Sequence, residues 1–109
     1  GGWKEDKPDG DGTEYHRETG RKAYEGHFTA GQRDGNGTEY FINDNGQIKY
    51  HGDWKEDKPD GFGTAFDRQT RLKAYEGHFT AGQKDGRGRE YFDNGKLKYE
   101  GDYKNGERD

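Results

Sequence analysis

The sequence lacks cysteine, methionine, serine and valine, and it contains only two prolines, two leucines and two isoleucines. Without cysteine or serine, the chain can have no disulfide framework, no thiolate metal site, and no thiol or serine nucleophile. No apolar run approaches the roughly 18 residues of a transmembrane helix, and no signal peptide is recognisable, which favours a cytoplasmic location. The formal charge of the 109 residues is only −4, without the basic block that would favour nucleic-acid binding.

The residues that are present form an internal repeat. Low aliphatic content with 39% charged residues is typical of disorder, but 15% of the residues are aromatic and they recur in register. Residues 1–41 match residues 52–92 at 30 of 41 positions. Within this duplication, marker glycines recur every 24 to 26 residues, at Gly1, Gly26, Gly52, Gly77 and Gly101. Such a period predicts one repeat array over residues 1–109, with units 1–23, 24–49, 50–74, 75–98 and 99–109.

Each unit carries the same pattern of rings and glycines. An aromatic residue, a glycine and a second aromatic residue occupy alternate positions, which places all three on one face of a strand. A Gly-x-Gly element begins nine residues after the marker glycine, and another aromatic residue follows it, at Tyr15, Tyr40, Phe66 and Tyr91. The glycines are predicted to be structural, because they let rings approach bare backbone closely. They are Gly26, Gly35, Gly37, Gly52, Gly61, Gly63, Gly77, Gly86, Gly88 and Gly101.

Turn-forming residues separate the two halves of each unit and separate successive units. Within units we predict turns at Lys-Pro-Asp-Gly, as in residues 58–61, and at Thr-Ala-Gly-Gln, as in residues 29–32. Between units we predict turns at the Asn-Gly pairs of residues 44–46 and 93–95. Each unit therefore corresponds to one β-hairpin. The predicted fold is all-β, an elongated single-layer antiparallel sheet of tandem hairpins about 45–50 Å long.

The aromatic residues that flank the marker glycines are the candidate binding residues. They could form a groove for an extended peptide or an amphipathic helix, or they could simply be the core of a thin sheet. Both interpretations can hold, because a single-layer sheet leaves one ring-bearing face partly open. The candidates are Tyr24, Phe28, Tyr50, Trp54, Tyr75, Phe79, Tyr99 and Tyr103, and Trp3 lies at the equivalent position of the first unit.

Other sites are poorly supported by the sequence. His27 and His78 are equivalent, but about four strands, or roughly 19 Å, separate them, so one metal ion cannot bind both. The carboxylates around Asp9 resemble a calcium loop, yet the equivalent segment replaces Asp11 by Phe62 and lacks a bidentate glutamate. Acidic and basic residues alternate along the chain, which indicates a solvated surface without the burial that catalytic carboxylates need. We predict no catalytic residue, no metal, no cofactor and no small-molecule substrate.

The repeat resembles the MORN repeat, whose pattern of Tyr-x-Gly-x-Phe or Trp followed by Gly-x-Gly-Thr is met by residues 24–38. Residues 94–106 are similar to the variant found in bacterial antitoxin-like MORN proteins. This sequence departs from the family in a slightly longer spacing, and in Asp6 and Asp57, which replace a hairpin glycine. The resemblance implies a single-layer antiparallel sheet with a grooved aromatic face, protein-interaction, scaffolding or membrane-proximal roles, and no catalytic centre.

We therefore expect a non-enzymatic scaffold that binds a protein partner, or self-associates, through its aromatic face or terminal strands. The alternatives are a module that binds acidic lipid at a membrane surface, which the interspersed charges disfavour, and a regulatory or antitoxin-like segment of a larger protein. Both ends of the sequence fall inside a repeat, and from this we expect a segment of a longer array.

Overall fold

The computed structural model describes residues 2–4, 7–41 and 46–109, with side chains described from Asp9 onward within these ranges. Its ten strands pair antiparallel in the order of the chain, which makes one open sheet of successive hairpins. No helix occurs in these ranges, and so nothing in them could span a bilayer as a helix. The strands β1 to β10 are Gly2–Lys4, Lys7–Tyr15, Lys22–Thr29, Gln32–Tyr40, Ile48–Lys55, Lys58–Phe66, Lys73–Thr80, Gln83–Tyr91, Leu97–Lys104 and Glu107–Arg108. The predicted single-layer architecture is confirmed, and the longest dimension is 44 Å.

A continuous row of glycines crosses the sheet, and we call it the glycine row. The marker glycines Gly26, Gly52 and Gly77 each face the second glycine of a Gly-x-Gly element on both neighbouring strands, and Gly101 faces Gly88 on one side. At Gly26, Gly52 and Gly77 the facing backbone leaves no room for a side chain, since an added Cβ would lie 2.5 Å from the Cα of the glycine on the next strand. The row consists of Gly12, Gly26, Gly37, Gly52, Gly63, Gly77, Gly88 and Gly101.

The first glycine of each Gly-x-Gly element has a different role. Gly35, Gly61 and Gly86 have φ between 88° and 105°, a left-handed conformation that L-residues rarely adopt. They lie where the register between the two strands of a hairpin shifts, as between the pairs Gly52↔Gly63 and Trp54↔Pro59. The predicted structural glycines therefore divide into one set that leaves space for rings and another that permits a bulge.

The prediction of a turn at residues 58–61 is wrong. The turn lies two residues earlier, at Glu56 and Asp57, whose φ values are 51° and 69°, and Lys58 already begins β6. Pro59 and Gly61 are used at the bulge instead, where a strand tolerates a missing N–H and a positive φ. Asp57 thus adopts the left-handed conformation that glycine adopts in the other hairpins. Asp6 and residues 44–45 of the predicted turn at 44–46 lie outside the described residues.

The two-residue turns lie side by side along one edge of the sheet, which we call the tip edge. They are Ala30–Gly31, Glu56–Asp57, Ala81–Gly82 and Asn105–Gly106. The second residue of a turn donates its N–H to a carbonyl of the preceding hairpin, as from Gly82 to Pro59 at 2.8 Å and from Gly106 to Lys84 at 2.9 Å. These bonds join each turn to the neighbouring hairpin of the sheet.

The turn at Ala81 offers a test of this geometry. Ala81 has a φ of 50°, and its side chain is exposed. Replacing Ala81 by Asn should stabilise the fold by about 0.5–1 kcal/mol, because asparagine adopts this conformation more readily and Asn-Gly favours a type I′ turn. Thermal unfolding followed by circular dichroism measures the effect. The same substitution at exposed Thr80, which lies in a strand, should not stabilise the protein; equal gains at both positions would contradict the explanation.

Longer connections form the opposite edge, the loop edge, which we define as residues 15–23, 41, 46–49, 66–74 and 91–98. Asp67 organises one loop, since its carboxylate accepts the N–H groups of Gln69 and Thr70 at 2.8 Å. These bonds hold the pKa of the Asp67 carboxyl below its usual value. Three of the aromatic residues that follow Gly-x-Gly, namely Tyr15, Phe66 and Tyr91, lie on this edge outside the core, and Tyr15 is 60% exposed.

Candidate functional site

The aromatic residues predicted as a binding face form one continuous ladder of edge-to-face contacts. Neighbouring ring centroids are 5.1–5.4 Å apart, and the ring planes meet at 77–90°. Each interior tyrosine contacts the second aromatic residue of its own hairpin and that of the next hairpin. This geometry is the favoured one for aromatic pairs. The ring ladder runs in the order Phe28, Tyr24, Trp54, Tyr50, Phe79, Tyr75, Tyr103 and Tyr99.

The tyrosine rings of the ladder lie over the glycine row. An added Cβ on Gly37, Gly63 or Gly88 would collide with the tyrosine ring of the neighbouring strand. Each tyrosine hydroxyl reaches past this point and donates to the carbonyl three residues along its own strand. The acceptors are His27 for Tyr24, Asp53 for Tyr50, His78 for Tyr75 and Asp102 for Tyr99, at 2.9–3.0 Å. Ring and glycine are therefore parts of a single packing unit.

Cationic side chains cover the ladder from the solvent side. The Arg33 guanidinium lies 4.8 Å from the Tyr24 ring and 5.1 Å from the Trp54 ring, and it also bonds Glu14 and Glu39. Lys84 lies 4.9 Å from the Tyr75 ring, and Arg108 occupies the same place over Tyr99. These three positions are equivalent in the repeat, and each contributes cation–π attraction as well as coverage.

The structure places the predicted binding residues mainly inside the protein. Seven of the eight rings are no more than 8% exposed, and they are all the buried hydrophobic residues of the described part. These seven rings therefore form the core, which is one of the two interpretations open from the sequence. Tyr99 differs, because it is only partly buried. The Trp3 side chain lies outside the described residues.

Tyr99 has one ring neighbour in the ladder, where the other three tyrosines have two. Tyr24, Tyr50 and Tyr75 each contact a ring of the following hairpin, namely Trp54, Phe79 and Tyr103. Among the described residues, the only ring that Tyr99 contacts is that of Tyr103 in its own hairpin, and the Arg108 guanidinium lies 4.9 Å from the Tyr99 centroid. One side of its ring, therefore, has the geometry to receive an aromatic side chain from another strand.

Burial of the rings changes their acid–base behaviour. Loss of solvent around the phenol raises the pKa of Tyr24 and of Tyr75 to about 12, and it raises the pKa of Tyr50 further. The pKa of Tyr103 is raised by burial and by the hydrogen bond that its hydroxyl donates to Glu90. A charged phenolate is thus unfavourable anywhere along the buried ladder.

These shifts predict alkaline unfolding. A tyrosine in the unfolded chain loses its proton near pH 10, but Tyr24 and Tyr75 keep theirs to about pH 12 when folded. The contribution of these tyrosines to stability should be constant well below pH 10 and then, between pH 10 and about pH 12, fall by about 1.4 kcal/mol for each pH unit and each such tyrosine. Thermal unfolding at a series of pH values, with tyrosinate absorbance recorded alongside, measures this. If the protein were equally stable at pH 9 and pH 11.5, the buried rings could not have raised pKa values.

The histidines lie on the face opposite the ladder. His27, His51 and His78 are exposed, and His27 Nδ1 is 3.0 Å from the carbonyl oxygen of Asp34. In the part of the chain that the structure describes, no three His, Asp or Glu side chains come close enough to hold a metal ion.

The charges are distributed unevenly between the edges of the sheet, although acidic and basic residues are interspersed along the chain. The loop edge has nine Lys and Arg residues and three Asp and Glu residues, whereas the remaining described residues have ten and 17. Hairpin topology causes the sorting, because it brings segments about 25 residues apart to the same edge. The sequence carried a signal for this division, because basic residues cluster in the predicted loops. A separate signal, the basic residue that recurs at positions 33, 84 and 108, was available for the side chains that cover the ring ladder.

Comparison with known families agrees with this architecture. A family model described as MORN repeat matches residues 1–17, 24–46, 50–65, 75–96 and 99–109, which together make up most of the chain. A search of curated proteins finds no significant match. Each of the five matched segments includes one marker glycine.

Proposed function

Since this chain belongs to the MORN repeat family, we propose that it is a non-enzymatic scaffold that self-associates by adding a strand of a second copy to β9. The MORN match supports a scaffold or binding role of the repeat array. The thin sheet adds support, because the seven rings are the buried hydrophobic side chains among the described residues, and most other side chains in that part are at least partly exposed. Such a fold offers long surfaces instead of an enclosed pocket for a substrate.

The open side of Tyr99 is the observation that carries the proposal. This ring site can take an aromatic side chain from the same repeat position as Trp54, Phe79 or Tyr103, and in the proposed self-association a second copy supplies it. The strand that supplies it would also bring a glycine opposite Gly101, as the interior strands do along the glycine row. The contact would therefore reproduce an interface that already occurs within the chain.

The backbone of β9 supports the same contact. On the side of β10, only Tyr103 and Lys104 have pairing partners among the described residues. The Asp102 carbonyl also accepts the Asp109 N–H at 3.0 Å, and the residues from Leu97 to Gly101 pair with β8 alone. An added strand would satisfy their remaining backbone groups, which is the usual basis of recognition by strand addition.

Sedimentation velocity at increasing protein concentration tests the proposal. We expect a concentration-dependent dimer that a Tyr99→Lys substitution weakens at least tenfold, because a lysine cannot fill the ring site. The matched control is Tyr15→Lys, which changes an exposed tyrosine outside the ladder and should leave association unchanged. Circular dichroism checks that both variants fold.

A second measurement does not depend on any variant. Backbone amides of residues 98–101 should gain protection from hydrogen exchange as protein concentration rises, and amides of β5 should not. A monomer at every concentration, or a dimer that leaves β9 unprotected, would rule out association through this strand.

A further inference from the structure

We propose that the loop edge over β6 to β9 carries a second binding site, which takes an acidic polypeptide segment with an apolar anchor side chain. The inference deepens the proposed function, since it identifies a surface and a partner chemistry for the scaffold. The site is formed by Arg71 and Leu72 of one loop and by Phe92, Lys96 and Leu97 of the next. We call these five residues the loop patch.

The two loops of the patch are in contact. A Cβ added to Gly95 would lie 3.5 Å from Leu72 Cδ1, so the side chain of one loop rests against the backbone of the other. Leu72 is nevertheless 42% exposed, and Phe92 and Leu97 are 49% and 50% exposed. Three large apolar side chains on adjacent loops make a small apolar surface of the kind that marks interaction sites.

Cations surround this apolar surface. Arg71 and Lys96 are exposed and make no ion pair within the described residues, while Lys98 lies 5.7 Å from the Phe92 ring. Residues 66–74 and 91–98 together have five basic and two acidic residues. One of these acids, Asp67, accepts backbone N–H groups of its own loop, and the other, Asp93, lies beside Phe92. Lys73 and Lys98 pair with Glu76 and Glu90 at 3.2 and 3.5 Å, so Arg71 and Lys96 supply the positive charge that selects an acidic partner.

Arg71 supplies an independent observation. Its φ is 65°, and the equivalent residue of the first half of the chain is Gly20, with a φ of 73°. The two loops share the same turn. The backbone N–H of Arg71 donates to the backbone carbonyl of Asp67 at 2.9 Å, and that of Gly20 donates to the carbonyl of His16 at 2.8 Å. The second half therefore has an arginine where glycine would be conformationally easier. An exposed guanidinium held in an unfavourable backbone conformation points to a role outside the fold.

The duplication also favours a local binding site and not an edge that is uniformly charged. The equivalent of Leu72 in the first half is Arg21, so the apolar anchor and the strained arginine occur together in the second half only. A flat anionic membrane would engage all loops of the edge similarly, whereas a peptide segment needs a patch on two adjacent loops. Hairpins lie about 9.6 Å apart, and three residues of extended peptide span about the same distance.

Fluorescence anisotropy with a labelled peptide in which pairs of glutamates alternate with single leucines tests the site. We expect binding that weakens as salt is added. Leu72→Arg and Arg71→Gly install the residues that the first half already has in the same turn, so both variants should fold. Leu72→Arg should weaken binding about tenfold. Arg71→Gly should weaken peptide binding about fivefold and raise the melting temperature by a few degrees. An arginine with a purely structural role would not lower affinity and raise stability together when it is replaced.

Three controls make the result decisive. Arg17→Gly removes an exposed loop arginine outside the patch and should change peptide affinity less than twofold. Tyr99→Lys should weaken self-association at least tenfold and leave peptide binding intact, which separates this inference from the proposed function. Equal losses from Arg17→Gly and Arg71→Gly would overturn the site in favour of a general charge effect. Binding to phosphatidylserine vesicles without binding to the peptide would overturn it in favour of a membrane surface, and failure to bind either would refute it.

Discussion

Replacing Gly77 by alanine is expected to destabilise the protein by about 3–5 kcal/mol, enough to unfold the repeats around β7. The added Cβ would lie 2.5 Å from Gly88 Cα and 2.6 Å from the Arg87 carbonyl oxygen. Both are backbone atoms of a paired strand, so no side-chain rotation relieves the collision and the two strands must separate. Urea denaturation followed by circular dichroism measures the loss.

The matched control for this substitution lies in the same glycine row. Gly12 faces Gly26 across a strand pair, but a Cβ at Gly12 would meet only Phe28 side-chain atoms, at an ordinary contact distance of 3.5 Å. Gly12→Ala should therefore change stability by less than about 1 kcal/mol. Similar losses at both positions would mean that backbone approach is not what requires glycine in the row.

Tyr75→Ala is expected to cost about 3–5 kcal/mol, because it interrupts the ring ladder near its middle. The ring is 1% exposed, and it contacts Phe79 and Tyr103 at centroid distances of 5.1 Å. Repeats interact only with their neighbours, so the loss should appear first in the hairpins on either side of the change. Hydrogen exchange should show faster opening of β7 to β9 than of β2 to β4.

A milder substitution distinguishes the contribution of the ring to stability from that of its hydroxyl. Tyr75→Phe keeps the edge-to-face contacts but removes the bond to the His78 carbonyl, and it should cost only about 1 kcal/mol. Tyr15→Ala, at an exposed ring outside the ladder, should cost less still. If Tyr75→Phe were as damaging as Tyr75→Ala, the hydroxyl rather than ring packing would hold the repeats together.

Local sequence predicts this fold unusually well because the contacts are local. Every strand pairs with its neighbour in the chain, so alternation of rings and glycines defines the strands, the faces and the order of pairing. The misplaced turn at residues 58–61 shows the limit of this argument. Pro59 and Gly61 suit a turn, but they suit a bulge equally well, and the register between Trp54 and its partner strand decides between these uses.

The candidate site was less predictable, because burial is a property of the whole sheet. The sequence places eight aromatic residues on one face, but whether those rings are open or covered depends on cations from neighbouring hairpins. Arg33 covers Trp54, which is 21 residues away along the chain. The exposed side of Tyr99 and the conformation of Arg71 are likewise visible only in three dimensions.

The repeat pattern by itself therefore determined the hairpins, their order, the ring face and the row of glycines, since each follows from residues at fixed short spacings. Tertiary structure alone decided which rings are core, which side chains cover them, and how the charges divide between the loop edge and the rest of the sheet. The physical reason is that strand pairing here is local, whereas solvent exposure and electrostatic environment depend on residues that stacking brings together from different hairpins.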